Sequence, residues 1–238
     1  MSRTVVIAGV GPGSGAALVR RFAREQCRVG MFARSADYLH VLEKEIRGRN
    51  EAALAVPTDI TDPKQVAEGF GRVREAFGPV DIFIHHASRA VWKGLLELEP
   101  SEMEAAWRVS VYGGFLCARE AVPDMLQNGG GAILFTGATS SIRGRGGALE
   151  FSSAKFAVRG MADSLARELW PKGIHVAHII VDGVIDTPFV RERYRPGPDE
   201  PLLDPDAMAE SYWNLANQPK SAWTLELDLR PFNEEFFV

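Results

Sequence analysis

Short apolar, β-rich runs alternate with longer helical patterns along most of this chain, and that alternation constrains the fold more than any other feature. The segments "TVVIAG" (4–9), "RVGMFA" (28–33), "EAALAV" (51–56), "VDIFIHH" (80–86), "AILFTG" (132–137), "IHVAHIIV" (174–181) and "WTLELDL" (223–229) read as strands. Between them the 3.6-residue period predicts helices over 14–26, 36–49, 63–78, 100–127 and 149–170, the third closed by a glycine stop. Strands joined by helices of this length need crossover connections, so the sheet is expected to be parallel. Its central strands should be buried on both faces, which suits "VVIAG" and "IFI". The expectation is one α/β domain over 1–238: a doubly wound, parallel, seven-stranded sheet with helices on both faces. No internal repeat or interdomain linker interrupts it. The Pro-rich stretch "YRPGPDEPLLDPD" (194–206) is the most irregular segment, and a substrate lid is expected over about 188–218, above the sheet's carboxyl edge.

Composition narrows the function classes. Hydrophobic residues make up 46% of the chain, enough to fill a core, and charged residues 24%. The formal net charge is −4 and no basic stripe recurs, so a nucleic-acid partner has little electrostatic support. The basic cluster "RRFAR" (20–24) falls within a helical pattern and reads as a solvated face. Cys27 and Cys117 are too few for a disulfide framework, and neither has metal-ligand spacing, so no metal is expected. The start "MSRTVVIAGVG" runs directly into a strand without a signal-peptide pattern, and no run reaches 18 apolar residues. No membrane association and a cytoplasmic location are the expectation.

The stretch "AGVGPGSGAA" follows the first strand and opens the first helix. Its glycines at 9, 13 and 15 meet three physical demands. The turn must be tight, the backbone must approach a pyrophosphate, and a helix N-terminus must present free N–H groups to the anion. The strand–turn–helix context strengthens the reading of a Rossmann-type dinucleotide loop.

At this point the sequence resembles the short-chain dehydrogenase/reductase superfamily over nearly its whole length. The landmarks fall in the family's order. After the glycine loop comes "TDITD" (58–62), which resembles the segment whose aspartate, here Asp59, contacts the adenine ring. "HHAS" (85–88) stands where the family usually has Asn-Asn-Ala-Gly. "DGVIDT" (182–187) resembles the Pro-Gly-x-x-x-Thr that holds the nicotinamide. The resemblance implies that Gly9, Gly13, Ser14 and Gly15 cradle the cofactor. It adds Asp59, Ile60, His86 and Ala87 at its flank, and Gly183, Ile185, Thr187 and Lys155 at its nicotinamide end. It also implies that the helices at 100–127 and 149–170 pair subunits into a homodimer or homotetramer.

The choice of cofactor turns on the tip of the second strand, "FARS". An acidic residue there would bond the ribose 2′-hydroxyl of NAD, whereas an arginine accommodates a 2′-phosphate. The tip offers Arg34 and no carboxylate, so NADP(H) is expected over NAD(H).

The family's catalytic set is Asn, Ser, Tyr and Lys. By spacing these positions hold Ser110, Ala138, Phe151 and Lys155, so only the lysine matches. Carbonyl reduction needs a hydride, a proton, and donors to the developing alkoxide. Phe151 supplies neither proton nor hydrogen bond, and Ala138 removes a second donor. Lys155 keeps the family's second role, a hydrogen bond to the nicotinamide ribose. Ser141 and His86 are the nearest candidates for a replacement acid. Two functions follow. One is an NADP(H)-dependent oxidoreductase with weak or atypical hydride transfer to an unnamed carbonyl, alcohol or enone. The other is a non-catalytic NADP(H)-binding sensor or scaffold.

Overall fold

A computed structural model describes residues 2–234. Its elements in chain order are β1 (Thr4–Ala8), α1 (Ser14–Arg24), β2 (Arg28–Ala33), α2 (Ala36–Arg47), β3 (Ala52–Pro57), α3 (Pro63–Phe77), β4 (Ile82–His85), α4 (Pro100–Trp107), α5 (Gly113–Gln127), β5 (Gly131–Thr136), α6 (Leu149–Leu169), β6 (Ile174–Val181), β7 (Val184–Ile185), α7 (Pro188–Arg193), β8 (Leu202–Leu203), α8 (Pro205–Ala216) and β9 (Glu226–Leu229). The main sheet has the order β3-β2-β1-β4-β5-β6-β9, with every pairing parallel. The seven expected strands therefore form one sheet. Its order reverses between β1 and β4, and such a switch point opens a ligand crevice at the strands' carboxyl ends.

Strand alternation divides the core into two layers. Val5 and Ile7 of β1 face a cluster with Leu18 and Phe22 of α1, Leu39 of α2 and Tyr212 of α8. Val6 and Ala8 face the opposite cluster, with Phe70 of α3, Met125 of α5 and Val158 of α6. Local signals set several helix ends. Asp62 caps α3 by accepting from Lys64 N at 2.9 Å, Pro63 takes the first helical position, and Gly78 at φ +86 terminates the helix.

The structure corrects the sequence reading in three places. The helix expected over 100–127 is not uniformly α-helical, because Arg108–Tyr112 forms a π turn between α4 and α5. Within it Gly113 N donates to Arg108 O, five residues back, and the Ser110 carbonyl accepts from the His85 ring instead. The last strand begins at Glu226 rather than 223, because Thr224 and Trp223 serve His175: its Nε2 meets Thr224 O at 2.8 Å and its ring stacks on Trp223. The 188–218 stretch is not one covering loop. Met208, Ala209, Tyr212 and Leu215 bury α8 in the core beside α1, and Arg21 of α1 donates to Glu210 of α8 at 3.0 Å. The part before β8 is tied to the 184–185 segment by the short parallel pair β7–β8.

Candidate functional site

The glycine loop is held in shape by its neighbours. Gly9 has φ +101, and a Cβ there would stand 2.4 Å from Ala87 N. Gly13 has φ +113, and its Cβ would stand 2.6 Å from the Thr187 methyl group. A Cβ on Gly15 would meet Gly9 O at 2.8 Å, whereas one on Gly11 meets nothing within 4 Å. The loop is thus closed against β4 and the 183–187 segment and open at Gly11. The N-terminus of α1 has no side-chain cap and no acid in its first turn; Ala16 N donates to Gly11 O at 3.1 Å, which leaves the first N–H groups, at Ser14 and Gly15, for an anion. These features fit a dinucleotide pyrophosphate.

The other expected cofactor residues lie around the same edge. Arg34 follows the end of β2, is exposed, and pairs with no carboxylate among the described residues. The Asp59 carboxylate accepts from Thr61 N at 2.9 Å and from its hydroxyl at 2.8 Å, and Ile60 is buried against Gly113. Gly183 has φ +144, Ile185 lies in β7, and the Thr187 hydroxyl accepts from Val190 N at 3.2 Å as the cap of α7.

His85 and His86 diverge from adjacent positions, as a strand requires. His85 reaches the Ser110 carbonyl at 2.7 Å. His86 lies between two hydroxyls, Ser14 Oγ at 2.7 Å on Nε2 and Thr136 Oγ1 at 2.9 Å on Nδ1. Thr136 Oγ1 in turn meets the Tyr212 hydroxyl at 2.8 Å. Burial pushes the pKa of His85 down to about 4, and burial followed by the nearby Lys155 pushes His86 down to about 3. A neutral imidazole, one nitrogen donating and one accepting, satisfies two hydroxyls that can each do either.

Lys155 projects from α6 under the end of β5. It is 3% exposed, and its Nζ donates to the Thr136 carbonyl at 2.8 Å. Burial pushes its pKa down to about 8. The same Nζ lies 5.4 Å from the centroid of the Phe151 ring, one turn back. The Trp92 ring rests on the outer side of Phe151, with centroids 5.2 Å apart and planes tilted by 47°. Ala138 follows β5, and Ser110 is fully buried in the π turn, its Oγ without a partner among the described residues.

The family model described as short chain dehydrogenase matches residues 3–196. The chain belongs to the short-chain dehydrogenase/reductase superfamily. An uncharacterized oxidoreductase of Staphylococcus aureus is 27% identical over 229 residues, spanning 96% of this chain and 97% of that protein. A short-chain dehydrogenase from Rhodopseudomonas palustris is 35% identical, superposes with a TM-score of 0.84, and covers 97% of this chain and 99% of its own. An alcohol dehydrogenase from the archaeon Thermococcus sibiricus, complexed with 5-hydroxy-NADP, is 25% identical with a TM-score of 0.88, covering 99% of each chain.

As a short-chain dehydrogenase/reductase, the chain has an oxidoreductase fold of a kind that binds nicotinamide cofactors. Both candidates for a replacement acid are held by hydrogen bonds to their neighbours. Ser141 is fully buried and its Oγ accepts from Ala138 N at 3.0 Å. His86 is held neutral with both nitrogens occupied. Sequence reasoning also missed several residues that shape the site. Trp92 sits in a loop without periodic pattern, and Glu150, Thr136 and Tyr212 carry no motif. An acidic residue directly before Phe151 was the only available signal for Glu150.

Proposed function

We propose that this protein binds NADP(H) in preference to NAD(H), and that its hydride transfer to ordinary carbonyls is slow because no side chain replaces the missing acid. The observation that carries the reading is the Lys155 ammonium, buried beside a phenylalanine ring and bonded to a backbone carbonyl. Bound at this site, the reduced cofactor supplies a hydride. The residues at the acid's position supply neither a proton nor an alkoxide donor. A positioned acid contributes about 10²–10⁴ in rate, and one alkoxide donor about 10²–10³.

Each cofactor assignment has a physical basis. The glycine loop and the uncapped start of α1 receive the pyrophosphate through backbone N–H groups. Arg34 is a permanent cation with no carboxylate partner among the described residues, suited to a 2′-phosphate. The adenine flank is Asp59 and Ile60. His86 and Ala87 back the loop, and Gly183, Ile185 and Thr187 close over the nicotinamide end. Lys155 bonds the ribose. The segment from α7 to β8 serves as the lid. A complex of a relative with 5-hydroxy-NADP supports the cofactor class. Trp107, Phe115 and Phe156 are each nearly half exposed on the α4–α6 side, which favours pairing of subunits through these helices.

The test is calorimetric titration with NADP⁺ and NAD⁺, followed by a carbonyl panel read as NADPH oxidation. Tighter NADP⁺ binding that Arg34→Ala weakens about tenfold or more, with slow turnover, is the expected result. Equal affinity for the two cofactors would overturn the preference, and brisk carbonyl turnover would overturn the account of the acid. The second reading, a non-catalytic NADP(H) sensor, is favoured by His86 lying between two hydroxyls and by the full burial of Ser141, and gives cofactor binding with no turnover on any substrate.

A further inference from the structure

We propose that the cleft takes a flat conjugated acceptor of the quinone class against an aromatic wall made by Trp92 and Phe151, and that Glu150 is the positioning residue that holds this wall. The inference rests on the preceding reading that the site holds reduced nicotinamide cofactor.

The wall is a specific construction. Trp92 has φ +54, a left-handed conformation that a bulky residue adopts only when its surroundings impose it. Glu150, the first-turn acid of α6, imposes it: Oε1 accepts from Val91 N at 2.8 Å and from Trp92 N at 3.4 Å. Glu150 is 1% exposed and its other oxygen is buried without a partner among the described residues. Desolvating a carboxylate costs several kcal/mol, so a buried Glu here is a poor choice for stability alone. Its two backbone contacts fix the loop so that the indole lies on Phe151. Trp92 is still 50% exposed, which leaves indole surface for a ligand ring. The same loop exposes Leu95 and Leu96.

Charge and chemistry select the acceptor. The Lys155 ammonium lies 5.4 Å from the Phe151 ring and the Arg145 guanidinium 5.9 Å from the Trp92 ring, so two cations flank the wall. They favour a product that carries negative charge. A simple ketone becomes a strongly basic alkoxide and needs an acid in the transition state. A quinone does not. The incoming hydride forms a bond at one carbonyl oxygen, the C=O π bond breaks, and its electron pair passes through the ring to the opposite oxygen. The ring becomes aromatic and the product is a phenolate, the hydroquinone monoanion. Phenols ionise near pH 10, so water supplies the final proton without a positioned side chain. Two electrons and two protons reach the quinone, and the nicotinamide is oxidised by two electrons. A phenylalanine in place of the tyrosine is compatible with this reaction and adds a face for the ring.

The experiment uses the full chain saturated with NADP⁺, which cannot reduce the ligand, and titrates duroquinone by calorimetry. Duroquinone is fully methylated and does not alkylate cysteine. NADP⁺ is titrated first, and its failure to bind would sink the cofactor reading rather than this one. The expected result is duroquinone binding at least tenfold tighter than cyclohexanone. Trp92→Ala and Glu150→Ala should each weaken it tenfold or more while leaving NADP⁺ affinity within about twofold. Glu150→Gln keeps an oxygen for the Val91 and Trp92 N–H groups and should restore most of the affinity, which a purely electrostatic role would not allow. If Glu150→Ala does not fold, Trp92→Ala still decides. Normal NADP⁺ binding with no duroquinone binding, or with equal duroquinone affinity in Trp92→Ala, would overturn the proposal.

Discussion

Lys155 donates its ammonium to the carbonyl oxygen of Thr136 at 2.8 Å, at the end of the strand that leads to Ala138. The Thr136 hydroxyl meets His86 at 2.9 Å, and His86 meets Ser14 of the glycine loop at 2.7 Å. Thr136 therefore joins Lys155 to the glycine loop. The lysine has a structural partner as well as an expected ligand, and the two roles separate by measurement.

Lys155→Met keeps the apolar stem and removes the charge. If the ammonium bonds the cofactor ribose, NADP⁺ affinity should fall by about 1.5–3 kcal/mol, the range for a hydrogen bond to a charged group. The apo protein should not melt at lower temperature at neutral pH, because the buried ammonium is itself disfavoured. Titration calorimetry and apo melting curves check both halves. Unchanged affinity with a lower melting temperature would assign Lys155 to the Thr136 carbonyl alone.

The same lysine gives a pH signature. Burial lowers its pKa to about 8 from an ordinary 10.5. Below about 8 both folded and unfolded chains hold the proton, and the burial penalty is fully present. Between about 8 and 10.5 the unfolded chain binds more protons than the folded one, so stability rises with pH. Relative to Lys155→Met, the wild type should gain on the order of 1–3 kcal/mol across this window. Urea unfolding of both proteins at about pH 7.5 and 9.5 measures it, and a constant difference would contradict it.

Restoring the acid should restore carbonyl chemistry. Phe151→Tyr with Ala138→Ser returns a proton donor one turn before Lys155 and a hydroxyl after β5. An increase of at least about 10²-fold in turnover on a carbonyl panel is expected. Brisk turnover by the wild type would instead identify a donor elsewhere, and Ser141→Ala and His86→Ala would be the variants to compare.

The glycine loop separates packing from ligand binding. Gly9→Ala places a methyl group 2.4 Å from Ala87 N at φ +101 and should cost more than about 2 kcal/mol of stability. Gly11→Ala meets nothing within 4 Å and should change stability by less than about 0.5 kcal/mol. If Gly11 faces the pyrophosphate, the variant should still lose NADP⁺ affinity. Denaturant unfolding and titration of the two variants distinguish these outcomes.

The sequence by itself determined the parallel seven-stranded sheet, the glycine loop at its first turn, and the spacing of Ala138, Phe151 and Lys155 along the chain. These follow from features written along the chain: alternation of period 2 and 3.6, glycines where strand meets helix, and four-residue spacing on one helix face. Only the tertiary structure decided that Trp92 covers Phe151, that Glu150 fixes the Trp92 backbone, that His86 is held between Ser14 and Thr136, and that α8 belongs to the core. It also decided the π turn at Ser110, where the carbonyl accepts from His85 across 25 residues of sequence. These contacts join residues distant in the chain, and their geometry depends on where side chains point once the sheet has assembled. No local period or spacing encodes that.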